Sequence, residues 1–141
     1  MMDTDKPIKD IFHIRFNLKD IPANDRCQMD EWYNHLIQKN PSQLDLFDVT
    51  RMIIQNIFLD LAIAKAIEFL KSNPFCGQRY SGELLELLYR LDNRYMEDYK
   101  GALLDIFDKA KAGLNKFDWL YDEEKDEFNS LVNAFSSKIN L

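Results

Sequence analysis

Between Asn24 and Asn40, apolar side chains fall at Met29, Trp32, Tyr33, Leu36 and Ile37, the three- and four-residue steps of one helix face. Pro41 closes that helix, because the residue before a proline avoids the α region. From about Leu46 to Ser72 the pattern changes. Projected at 100° per residue, Ile53, Ile54, Ile57, Phe58, Leu59, Leu61, Ile63, Ile67, Phe69 and Leu70 point all the way round. A helix apolar on every side is a buried one. Such a helix would run about 40 Å at 1.5 Å per residue, and it is expected as the central element, with Asn56 and Asp60 one turn apart on it. Ser72-Asn73-Pro74 marks its end.

Ser81 reads as an N-cap for Glu83 to Leu88, with Glu83 near the positive end of the helix dipole. Leu84, Leu88 and Leu91 form one stripe, and Asp92-Asn93 breaks or kinks this helix before Tyr95, Tyr99, Leu103, Ile106, Phe107 and Ala110 continue the pattern. Gly113 suits a C-terminal cap. Asp122-Glu123-Glu124 opens the last helix, whose apolar face is Phe128, Leu131, Val132 and Phe135. The exception is Phe12 to Leu18, which alternates strictly as a half-buried strand does; Phe117, Trp119 and Tyr121 repeat the pattern over a shorter run. An isolated two-stranded ribbon is marginal, so an extended arm lying on the helices is the favoured alternative. The expected fold is all-α: one domain over residues 1–141, a bundle of five or six helices around a buried central helix. Residues 1–22 form its irregular or short-strand N-terminal arm.

Composition fits one globular domain: 141 residues, 46% hydrophobic and 13% aromatic. No internal repeat is visible. No apolar run reaches the length of a membrane span, the nearest containing Asp60, Lys65 and Glu68. The start MMDTDKPIKD is acidic and polar rather than signal-like, so a cytoplasmic protein is expected. Cys27 and Cys76 are too few for a disulfide framework and are expected as free thiols. Charge changes the picture more. The net value of −6 argues against direct nucleic-acid binding. Nearly all of it lies in residues 83–127, where thirteen acids face seven bases. A surface of one sign attracts a partner of the other.

Chemistry is scarce. Two cysteines and two histidines, scattered at Cys27, Cys76, His13 and His35, do not make a zinc site. Glu31 and His35 are one residue too far apart for the Glu-x-x-His pair of a di-metal bundle. No metal or cofactor is expected. Cys76 as a nucleophile would need a histidine brought near by folding, and nothing favours that over a small buried thiol. The stretch NPFCGQRYSGELL, residues 73–85, has Gly77 and Gly82 at P-loop spacing, but Glu83 stands where the phosphate-binding lysine should be and a helix precedes it. It is instead a joint between two helices, with Phe75 and Tyr80 expected to tuck inward and Arg79 its exposed charge.

The run Met52 to Ile67, followed by Asn73-Pro74-Phe75-x-Gly77-x-x-Tyr80-x-Gly82-Glu83-Leu84-Leu85, resembles bacterial immunity proteins of contact-dependent growth inhibition systems. The resemblance covers about a quarter of the chain. It implies a non-catalytic cytoplasmic protein, a monomer or weak dimer, that binds a cognate toxin domain, commonly a nuclease, and blocks its active site. The charge pattern agrees, because an inhibitor of a nuclease gains attraction by offering carboxylates where phosphates would lie. The candidate partner-binding residues are Asp118, Trp119, Tyr121, Asp122, Glu123, Glu124, Asp126 and Glu127, aromatic anchors among acids. Asp92, Glu97 and Asp98 form a second strip. Two alternatives stay open at this point: Trp119 and Tyr121 as core residues beside solubilising acids, and a helical adaptor whose Phe12–Leu18 arm adds to a partner's sheet.

Overall fold

The computed structural model describes residues 5–140. They form seven α-helices joined by 3-10 turns and no strand, so the all-α expectation holds. Of the N-terminal arm, residues 1–4 lie outside the described residues. The chain divides between Asp48 and Val49 into two compact units.

The first unit contains α1 (Ile8–Ile11) and α2 (Gln28–Gln38). Ile8, Leu36 and Ile37 are fully buried in it, and the Ile8 amide donates to the Lys39 carbonyl at 2.8 Å. The Phe12–Leu18 stretch is no strand. Phe16 sets its ring edge-on to Tyr33 at 5.0 Å, and a 3-10 turn follows at Leu18–Asp20. The alternation seen in the sequence is therefore an arm folded onto α2, and its apolar half is used in packing. Asp48 ties the far end of this unit together. Its buried carboxylate accepts from the Trp32 indole at 3.2 Å, pairs with Lys39 at 2.5 Å and accepts from the Asp45 amide at 3.3 Å. The Asp45 side chain in turn takes the Asp48 amide at 2.8 Å, so the start of α3 (Leu46–Gln55) is capped reciprocally. Burial pushes the Asp48 carboxyl up, but Lys39 and the hydrogen bonds outweigh it and hold it below the ordinary range.

In the second unit the expected central helix is broken. α3 stops at Gln55 and α4 begins at Leu59, running to Ser72. Between them Asn56 (φ 56°) and Phe58 (φ 46°) sit in the left-handed region. L-residues enter that region at a cost of roughly 1–2 kcal/mol, asparagine most readily. The break lets the chain turn, so Asn56 and Asp60 are both exposed and do not share a buried helix face. This explains the all-round apolar projection: it overlays two shorter amphipathic helices, and Ile54 keeps 47% of its surface exposed. A test follows from the sign. In a continuous helix Asn56→Ala would stabilise by about 0.5 kcal/mol through propensity. At a left-handed position it should cost about 1 kcal/mol, read from the urea midpoint.

The core of this unit is built from Ala62, Ala66 and Leu70 of α4, Leu84, Leu85 and Leu88 of α5 (Glu83–Arg90), Leu103 and Ile106 of α6 (Lys100–Gly113), and Phe128, Val132 and Phe135 of α7 (Asp122–Ile139). α6 packs on both α4 and α7, and α5 also packs on both. Lysines close two helix ends where the carbonyls lack partners. Lys109 donates to the Lys71 and Ser72 carbonyls at 2.7 and 3.2 Å; Lys138 donates to the carbonyls of Tyr89 and, at 2.8 Å, Leu91. Asp92-Asn93 does break the chain's helical run. Asp92 caps a 3-10 stretch, Asn93–Tyr99, before α6 starts.

Candidate functional site

The joint at residues 73–85 closes on one buried carboxylate. Glu83, with no exposed surface, accepts the Gln78 and Arg79 amides at 2.9 and 3.0 Å and is clasped by the Arg79 guanidinium. Burial pushes its carboxyl up, but the Arg79 amide and guanidinium and the Gln78 amide pull it down further, so the net is below the ordinary range. A carboxyl depressed in the folded state adds stability above its unfolded value of 4.5, and that stability drains away as pH falls through the lower folded value. Glu83→Gln is therefore expected to cost about 2 kcal/mol at neutral pH and to flatten part of the acid limb of the stability profile below about pH 4.5. The Asp48 share of that limb should remain. Chemical denaturation from pH 3 to 7 reads both.

The glycines serve this closure. Gly82, not Ser81, is the N-cap of α5, at φ 85°, and a Cβ there would meet Phe128 Cδ1 at 2.6 Å. Phe75 is buried as expected. It stacks on Phe117 at 4.5 Å and touches Trp119 at 5.6 Å and Phe128 at 5.1 Å. Tyr80 does not tuck inward: it is 44% exposed, and its hydroxyl donates to Glu86. Burial first, and then that acceptor, push the hydroxyl up to about 12, so it stays protonated. Cys76 is also pushed up, to about 11 by burial, which keeps it a thiol at neutral pH.

Beyond the joint lies the acidic segment. Trp119 is held from within, its indole donating to the Leu114 carbonyl at 2.8 Å while its ring packs in the Phe75, Phe117 and Phe128 cluster. It is only partly exposed. The presented residues are Leu120, 82% exposed, and Tyr121, 66% exposed. Around them Asp118, Asp122 and Glu123 face solvent, followed along α7 by Asp126 and Glu127, with Glu124 half-buried. Among the described residues, Glu83 and Glu86 are the two of the thirteen acids in residues 83–127 that form ion pairs, with Arg79 and Arg90.

α7 starts beside the joint. Tyr80, Ser81 and Gly82, Glu86 and Arg90 of α5, and Glu124, Glu127, Phe128 and Leu131 of α7 line an open cleft of about 460 Å³. Glu124 and Glu127 thus turn toward the joint from the same stretch that carries Asp118 to Glu123. The second strip is elsewhere. Asn93 donates to the Lys138 carbonyl at 3.3 Å, at the opposite end of α7 from Asp122. An 18-residue helix puts the two regions about 27 Å apart along its axis. There Asp98 shares a hollow of about 270 Å³ with Asp60, Arg94, Tyr95 and Tyr99, while Asp92 and Glu97 are exposed on the same turn. The Tyr99 hydroxyl is pushed up, by burial and then by Asp98 and Asp60.

Sequence reading missed Leu120, Tyr80, Glu86 and Arg90. Leu120 carried a signal, an apolar residue directly between Trp119 and Tyr121 amid acids; the cleft residues carried none, because α5 and α7 meet only in the fold. Among the described residues no group of three His, Cys, Asp or Glu is placed to hold a metal, and no helix is long and apolar enough to cross a membrane. A model of the family described as CDI immunity proteins matches residues 16–106. That span takes in the joint and the second strip and stops before α7. No curated protein matches the chain.

Proposed function

The chain belongs to the CDI immunity proteins, and on that premise we propose that it neutralises a cognate nuclease toxin by laying the acidic start of α7 over the toxin's basic active-site cleft. It acts in the cytoplasm of the cell it protects, as an occluding partner with no turnover of its own. The observation that supports this reading is the pairing of Leu120 and Tyr121, both well exposed, with a rim of carboxylates that have no ion-pair partner among the described residues. A nuclease cleft is lined with lysine and arginine to hold phosphates. Carboxylates presented to it take the place of those phosphates, and the apolar pair supplies the desolvated contact that charge alone lacks.

Trp119 serves the interface indirectly. Its fixed ring and the Phe75 cluster hold the 117–121 segment in one conformation, so less ordering is lost on binding. The test uses the cognate toxin domain, to be sought in the reading frame directly upstream. Mixed with this protein it is expected to form a one-to-one complex and to stop cleaving RNA in step with the complex. A complex in which cleavage continues would contradict occlusion.

A further inference from the structure

The cleft beside α7 combines an aromatic ring with carboxylates. Its lining includes the Tyr80 ring, 44% exposed, and Phe128 and Leu131 of α7. Three carboxylates reach it, Glu86, Glu124 and Glu127, against one guanidinium, that of Arg90. Their states differ. Glu86 is engaged, accepting from the Tyr80 hydroxyl and pairing with Arg90 at 3.5 Å. The Glu124 and Glu127 carboxylates have no hydrogen-bond or ion-pair partner among the described residues. Gly82 also lines it, and a Cβ there would strike Phe128.

We propose that this cleft receives an arginine side chain of the toxin, stacked on Tyr80 and held by Glu124 and Glu127. Deepening the toxin-occlusion reading and resting on it, the assignment names the chemistry of one contact. A guanidinium fits better than an ammonium. It is planar, stacks on an aromatic face and offers a fork of donors to paired carboxylates, whereas lysine brings a strongly hydrated point charge. The volume of about 460 Å³ is that of a small-ligand cleft. Tyr80 keeps its proton and its bond to Glu86, so its ring stays in place as a wall. The joint is then more than scaffold: it fixes one side of a binding cleft whose other side is the acidic helix.

The test separates this contact from toxin binding as a whole. N-acetyl-arginine amide is titrated into the intact protein while the amide resonances of residues 80–82, 124 and 127 are followed. N-acetyl-lysine amide and the neutral, isosteric N-acetyl-citrulline amide are the controls. Saturable millimolar shifts are expected with arginine, weaker ones with lysine, and none with citrulline. The double variant Glu124→Gln, Glu127→Gln should weaken arginine binding by about tenfold, the scale of lost hydrogen bonds to a charged group. Thermal melts confirm that the variant remains folded. Equal shifts with arginine and citrulline, lysine binding more tightly than arginine, or an unaffected double variant would overturn the assignment. The same double variant and Tyr80→Ala are then mixed with the upstream toxin domain, where dissociation should be about tenfold faster. A tight complex indifferent to all three changes refutes the arginine contact and leaves occlusion standing. A chain that binds no toxin refutes occlusion, and the amide titration still decides the cleft.

Discussion

Gly77→Ala is expected to be the most damaging single methyl that can be added to this protein, costing about 3–4 kcal/mol of stability and leaving little folded chain at 37 °C. A Cβ at Gly77 would lie 2.0 Å from the Tyr80 carbonyl oxygen, 2.8 Å from Glu83 Cβ and 3.0 Å from the Glu83 amide nitrogen. Two of the three obstacles are backbone, and the third is the root of a fully buried side chain. None can swing aside as the tip of a flexible residue would. Relief would need the 77–83 loop to open, which withdraws the Gln78 and Arg79 amides from Glu83 and strands a carboxylate away from water. Gly101 is the natural control, since a Cβ there meets nothing within 4 Å; on α6, Gly101→Ala should be neutral or slightly stabilising. Equilibrium denaturation of the two variants measures the difference. Comparable stability for both would contradict the closed joint.

How far such a joint can be read from residues alone depends on which forces fix it. Asn73-Pro74 and Gly77 mark a helix end and a turn by local chemistry, and the structure has both there. Helix starts set by local sequence were equally legible: α7 begins at Asp122, as its run of acids requires. The break after Gln55 was not. Asn56-Ile57-Phe58 carries no glycine or proline, and only tertiary packing holds two L-residues at positive φ. A projection at 100° per residue cannot register a turn between helices, so it merged α3 and α4 into one cylinder. The two alternating stretches misled in another way. Phe12–Leu18 and Phe117–Leu120 do present alternate sides, one packed and one outward, with Tyr121 breaking the second pattern, yet each packs on helices and aromatic rings, not on a neighbouring strand.

The site shows the same division. Charge is a sum over residues, so the excess of acids in 83–127 was visible without a fold. Which carboxylates pair was not, because the fold of the 77–83 loop, not helix spacing, brings Arg79 to Glu83, while Arg90 reaches Glu86 one turn along α5. The split between Trp119 and its neighbours turns on a single residue of alternation: Trp119 faces Phe75 and Phe128, while Leu120 and Tyr121 face water. Tyr80 lies outward, its hydroxyl on Glu86, a partner the sequence could not show.

Attraction between this acidic helix start and a basic toxin should show directly in the association rate. Asp122, Glu123 and Glu124 are replaced together by lysine, reversing the sign of the rim while leaving Leu120 and Tyr121 in place. Three lysines at the positive end of the α7 dipole should cost about 1–3 kcal/mol of stability, so folding is verified first by circular dichroism. Stopped-flow mixing with the upstream toxin domain then compares the two proteins across ionic strength. At about 0.01 M salt, where charges act over roughly 30 Å, the variant should associate about a hundredfold more slowly than the unaltered protein. At about 1 M, where that range falls to roughly 3 Å, the gap should shrink to a few-fold. Equal association rates at every salt concentration would mean that these carboxylates do not meet the toxin at all.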